Sequence, residues 1–176
     1  MKTKLTLFIA VIAVALFGMG CASTEPVFDP NREDHRAIEA EIRKRVSKTN
    51  GEELSKDDIG NVEEFFIQHH GIEDLSPLSG MVKLKKVNLD ANAIKDLTPL
   101  SNLTNLEVLA IKVNQITDLS PLTGLKNLKF VRLQGNPDLA RAEIDKLQKA
   151  LPYCVIFSDL ATSEECIEGY IRHKVG

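Results

Sequence analysis

Three carboxylates recur at a step of 22 residues, Asp74, Asp96 and Asp118, and the chain also holds adjacent imidazoles, His69 and His70, and three thiols, Cys21, Cys154 and Cys166. Paired carboxylates can exchange protons, a cysteine beside a base can be a nucleophile, and His, Cys and Asp together can hold a metal. The spacing argues against all three. The aspartates are copies of one position in a repeated segment, and a chemical site seldom needs three copies; an Asp in a turn accepts hydrogen bonds from nearby backbone N–H groups instead. No nucleophile stands with a base, no carboxylate pair lies outside the repeat register, no His/Cys cluster has ligand spacing and no glycine-rich loop is present. The sequence predicts no catalytic residue, no metal and no cofactor. The chain is not expected to be an enzyme.

The repeat that carries the aspartates organises the middle of the chain. Ile72-Glu-Asp-Leu-Ser-Pro-Leu78, Ile94-Lys-Asp-Leu-Thr-Pro-Leu100 and Ile116-Thr-Asp-Leu-Ser-Pro-Leu122 superpose, as do Leu84/Leu106/Leu128, Val87/Leu109/Val131, Leu89/Ile111/Leu133 and Asn92/Asn114/Asn136. The L-x-L alternation is strand-like, and Pro77, Pro99 and Pro121 argue for a tight turn or short 3₁₀ segment rather than a second paired strand. One coil cannot bury its leucines alone, so the coils must stack into a short curved solenoid. The asparagines at the strand ends are expected to satisfy backbone groups in the turn, coil after coil. Phe65 and Ile67 hold the strand places of a first, degenerate coil, and His70 takes the Asn place there as a hydrogen-bonding substitute.

The L-x-x-L-x-L-x-x-N pattern with its I-x-D-L-x-P-L turn resembles the bacterial, internalin-like class of leucine-rich-repeat proteins, over roughly residues 31–157. The resemblance implies an α/β solenoid with a parallel concave β-sheet, a 3₁₀/turn convex side and helical caps at both ends. It also implies binding of another protein, and it transfers no catalytic residues.

Before the repeat, Lys2 and Lys4, an apolar run from Leu5 to Phe17 and Gly18-Met-Gly-Cys21 resemble a bacterial lipoprotein signal over residues 1–20. Gly18 stands where that pattern favours Leu, and a cleaved secretory peptide or an uncleaved anchor are the rival readings. The resemblance implies that Cys21 carries lipid and anchors the protein in a bacterial cell envelope; Ala22 after it favours the outer membrane if the cell is Gram-negative. Loss of residues 1–20 removes two lysines and no acid, moving the formal charge from −3 to −5. An acidic protein is a poor binder of phosphate backbones, so no nucleic-acid partner is expected.

The remaining organisation follows. Residues 21–30 read as a tether and 31–61 as a helical amino-terminal cap, with Asp29-Pro30 as N-cap and first helical residue, and Ser55 and Asp58 as a capping box. The basic run Arg43, Lys44, Arg45 and Lys48 is either a solvated helix end or a patch for anionic headgroups. The repeats occupy 62–136, a cap helix and strand 137–157, and a tail 158–176. Ile167, Tyr170, Ile171 and Val175 could give that tail a short amphipathic helix after an N-cap at Ser163. In an oxidising compartment Cys154 and Cys166 are a candidate disulfide; the alternative is a buried Cys154 and a free Cys166.

Outward strand positions form three columns: Glu64, Lys86, Val108, Phe130; Phe66, Asn88, Ala110, Arg132; and Gln68, Asp90, Lys112, Gln134. A solvated sheet face would be polar throughout, yet Val108, Ala110 and Phe130 are contiguous and apolar, with Val113 nearby. Phe66, Lys86, Asp90, Val108, Ala110, Lys112, Phe130 and Arg132 are therefore the candidate protein-binding residues. The competing expectation is that Val108 and Phe130 pack on each other or lie under the tail. A structural spacer without a specific ligand is the alternative function.

Overall fold

The computed structural model describes residues 27–160, 168 and 171–174. Two helices, α1 (Glu33–Arg45) and α2 (Lys56–Gly60), precede four short strands, β1 (Glu64–Phe66), β2 (Lys86–Asn88), β3 (Val108–Ala110) and β4 (Phe130–Arg132). Helix α3 (Arg141–Ala150) and strand β5 (Val155–Phe157) follow. The strands form one open parallel sheet in chain order. Its register keeps the repeat step, Glu64 beside Lys86, Val108 and Phe130, until β5 joins with Val155 beside Phe130, after α3 has replaced the turn of the last coil.

Each coil folds this way for local reasons. Alternation sends Phe65, Val87, Leu109 and Val131 inward, where they stack at no more than 1% exposure. The return path turns through 3₁₀ segments Ser76–Leu78, Thr98–Leu100 and Ser120–Leu122, each with its proline in the first turn. Ahead of each, an aspartate closes the turn: Oδ1 of Asp74, Asp96 and Asp118 accepts from the backbone N–H of Ser76, Thr98 and Ser120, each at 2.8 Å. The leucines on either side of these segments, Leu75, Leu78, Leu97, Leu100, Leu119 and Leu122, fill the core. Each contributes roughly 1.5–3 kcal/mol by leaving water.

The asparagines link one coil to the next. Asn92 Nδ2 donates to the carbonyls of Ile67 and Leu89, and its Oδ1 accepts from the N–H groups of His70 and Ile72. Asn114 and Asn136 repeat the pattern one coil on, with Oδ1 accepting from Ile94 and Ile116. His70 itself only reaches the Gln68 carbonyl, so it replaces Asn without making its bridge. The residue before each of these positions has positive φ: His69 at 58°, Ala91 at 55°, Val113 at 53° and Gly135 at 75°. A left-handed residue there turns the chain out of the strand.

The caps close the ends. Helix α1 begins at Glu33, not at Pro30, and Arg32 is its N-cap without a side-chain bond. Asp29 is drawn away from the capping place: its carboxylate accepts from Asn31 N–H, its own N–H donates to His35 Nδ1, and its carbonyl accepts from Arg32 N–H. Ile38 and Ile42 are fully buried from α1 as the helical spacing predicts. At α2 the expected capping box forms, with Asp58 N–H donating to Ser55 Oγ and Ser55 N–H donating to Asp58 Oδ2. At the other end α3 buries Ile144 and Leu147, flanked by buried Leu139 and Leu151.

Candidate functional site

The three predicted columns stand side by side on the outer face of the sheet, and two strand positions of β5 extend the first two. Val155 continues the column of Phe130, and Phe157 that of Arg132. Within this face the predicted residues divide by what holds them. Glu64 and Lys86 form an ion pair at 2.8 Å, which holds the carboxyl below its ordinary range and raises the ammonium. Asp90 Oδ1 accepts from the backbone N–H of Lys112 at 2.7 Å, so this carboxylate stitches two coils together. Asn88 accepts from the N–H of Asp90.

The two aromatic residues are each met by another part of the chain. Phe66 is 38% exposed, and the Arg45 guanidinium of α1 lies 4.9 Å from its ring centroid. Phe130, at the opposite end, is half-buried and takes the His173 ring edge-on at 5.0 Å between centroids. Val155 beside it is completely buried although its column faces outward. His173 therefore lies against Phe130 at this end of the sheet.

Between these ends the face is partly open, at Val108, Lys112, Val113 and Arg132. Val108 is half-buried, Ala110 is 5% exposed and Val113 56% exposed. Lys112 and the exposed Arg132 have no ion-pair partner among the described residues. Apolar Val108 and Ala110 are thus bordered by two cations that make no ion pair among the described residues, with the Asp90 carboxylate held on the Lys112 backbone N–H. The charges at the strand entrances are matched instead: Lys85 pairs with Glu63 at 2.9 Å and Lys129 with Glu107 at 2.7 Å.

A second polar cluster, on the turn side, escaped sequence reading. Asp34 is 8% exposed and His35 5%. Burial alone would push the Asp34 carboxyl up, but hydrogen bonds from Arg32 and from the N–H groups of Asp74 and Glu73 hold it well below the carboxylate range. His35 Nδ1 accepts from Asp29 N–H, leaving Nε2 to donate to Asp74 Oδ2 at 3.1 Å. Every member is engaged, and the cluster docks α1 on the first turn. A shallow cleft of about 340 Å³ beside it is lined by Arg32, Asp74, Lys95, Asp96 and Pro99.

The other expected groups fall as follows. Arg43 is bonded to Glu39 and to the carbonyls of Thr49 and Glu52, Lys44 and Arg45 to Glu41, and Lys48 to Asp58 and the Glu53 carbonyl. The basic run thus ties down α1 and the loop behind it. Cys154 is a free thiol, 1% exposed, and burial pushes its pKa up to about 12. Cys21, Cys166, Ser163, Ile167, Tyr170 and Val175 lie outside the described residues. Among the described residues no group of three or more His, Cys, Asp or Glu side chains could hold a metal ion, and no helix is long and apolar enough to cross a membrane.

A family model for leucine-rich repeats in two copies matches residues 104–149. The fold is a leucine-rich-repeat solenoid. Among solved structures, an internalin from Listeria monocytogenes superposes with a TM-score of 0.57 at 19% identity, over 76% of this chain and 48% of its own. A leucine-rich-repeat protein from Leptospira interrogans superposes with a TM-score of 0.52 at 24% identity, over 59% of this chain and 28% of its own. The chain spans about half of the internalin it matches and less of the second. A comparison with curated proteins finds no match.

Proposed function

We propose that this protein is a lipid-anchored component of a bacterial cell envelope that recognises another protein through the concave face of its solenoid. Cys21 would carry the lipid, and Val108, Ala110, Lys112 and Arg132 would form the centre of the contact. The observation that carries the reading is the centre of the sheet face: half-buried Val108 beside buried Ala110, with Lys112 and Arg132 next to them and without an ion-pair partner among the described residues. Apolar side chains supply burial in such a contact and the charges fix orientation. Phe66 and Phe130 sit at its rim, each already against its own chain. Five short strands give a small surface, which suits a transient complex.

Photo-crosslinking in cells from position Lys86 on the sheet face, with Lys95 on the turn side as control, tests this. One protein captured from Lys86 and not from Lys95 is the expected result. Equal capture, or none, at both positions would favour the alternative, a solenoid that spaces envelope components without a specific ligand. The anchor is checked separately: Cys21→Ser should release the protein from the membrane fraction.

A further inference from the structure

We infer that the partner presents an acidic segment, carboxylates beside apolar side chains, to the centre of the sheet face. The inference rests on the reading that this face binds a protein and adds what that protein must offer. The chain as a whole is acidic, with a formal charge of −3. The sheet face reverses that sign. Glu64 is cancelled by Lys86, and Asp90, which accepts from the Lys112 backbone N–H, keeps its charge. Two carboxylates thus stand against the three cations Lys86, Lys112 and Arg132, and the face has a positive surplus. Its remaining cations, Lys112 and Arg132, are unpaired among the described residues. The pairs Glu63–Lys85 and Glu107–Lys129 cancel at the strand entrances, so no carboxylate there competes for the two cations.

A surface that is acidic overall but basic at one apolar-centred spot discriminates by charge. It steers a carboxylate-bearing segment toward that spot and repels a basic one. Arginine adds geometry, because its planar fork can hold one carboxylate through two hydrogen bonds. Lys112, two residues past the end of β3, supplies a second, less directional charge. Half-buried Val108 lies alongside and offers burial to the apolar side chain that separates two such carboxylates in a partner.

The test is selection from a library of random peptides on the purified full chain. Enriched peptides are then titrated against the wild type, Lys112→Glu, Arg132→Glu and Val108→Asp. All three side chains stand on the outer face of the sheet, so the fold should survive, and circular dichroism checks that it does. We expect the enriched peptides to be rich in Asp and Glu beside apolar residues. Their affinity should fall about tenfold or more in Arg132→Glu and with added salt.

Peptides without an acidic surplus, or indifferent to both charge reversals, would overturn the inference. If such peptides still lost binding to Val108→Asp, the sheet face would remain a binding surface that reads something other than charge. If nothing were enriched, or Val108→Asp had no effect, both readings would fall. Enrichment only after removal of the residues beyond Leu160 would assign the surface to the chain's own carboxy-terminal segment and overturn the acidic partner.

Discussion

At the scale of single residues, the asparagine column holds the solenoid in register. Asn114 is 4% exposed; its Oδ1 accepts from Ile94 N–H at 3.0 Å and its Nδ2 donates to the Leu89 and Lys112 carbonyls at 3.1 Å. Alanine there leaves the buried Ile94 N–H without a partner, while the Leu89 and Lys112 carbonyls keep their bonds from Asn92 Nδ2 and Ala91 N–H, and an unmet buried group costs about 1–3 kcal/mol. Asn114→Ala should therefore lose about 2 kcal/mol, read as a shift of the urea midpoint. Asn105→Ala, which removes one exposed bond to the Val82 carbonyl, should lose less than about 1 kcal/mol. The first column was legible because one residue type recurs at one step. The left-handed position before it was not, because His69, Ala91, Val113 and Gly135 share no chemistry and only the backbone conformation unites them. Val113 is the unexpected member, a β-branched residue where glycine is at ease, and its exposed side chain contacts the place where a Gly135 Cβ would stand.

At the scale of elements, helical spacing found the apolar face of α1 but not how α1 is attached. Ile38 and Ile42 repeat with the helix and were visible; His35 lies one residue beyond Asp34 and reads as surface until Asp29 and Asp74 are folded against it. The shifted start of the helix has its own local cause, since the Asp29 carboxylate closes a turn on Asn31 N–H and its carbonyl accepts from Arg32 N–H ahead of Glu33. The Asp34 carboxyl is held below its ordinary range by Arg32 and two backbone N–H groups. In the unfolded chain it titrates near about pH 4. Below that pH the unfolded state takes up a proton that the folded state refuses, so this part of the stability is complete above about pH 5 and is lost as pH falls. Asp34→Asn removes the linkage. The stability gap between wild type and variant should stay constant between about pH 7 and 5 and narrow toward about pH 3. Asp58, Asp74 and Asp118 are also depressed and lower both proteins in acid, so the gap, not either curve, is the readout. A gap independent of pH would mean that Asp34 docks α1 by shape alone.

At the scale of the whole molecule, a stack of coils has two ends that its repeat cannot satisfy. The amino-terminal end is met by α1, and the sequence announced it through a change of period. The carboxy-terminal end is met by α3 and β5, also announced, and then by the segment carrying His173. A tail over Phe130 is one of the competing expectations from sequence, but the residue that makes the contact, a single histidine, leaves no pattern there. The candidate surface was legible as columns, through the repeat. Val155 gives this a measurable consequence. It faces outward from β5 yet is completely buried, and Phe130 beside it is half-buried under His173. Ending the chain after Leu160 should uncover both side chains and cost about 2 kcal/mol, read as a lower urea midpoint. The exposed Val155 and Phe130 would join Val108 in one apolar strip on the last three strands, and such a strip on an open sheet invites self-association. Sedimentation should then show concentration-dependent oligomers for the shortened chain and not for the full one. An unchanged midpoint with an unchanged sedimentation rate would locate the burial of Val155 within residues 27–160. The segment beyond Leu160 would then be a peripheral contact on Phe130, not part of the closure of the solenoid.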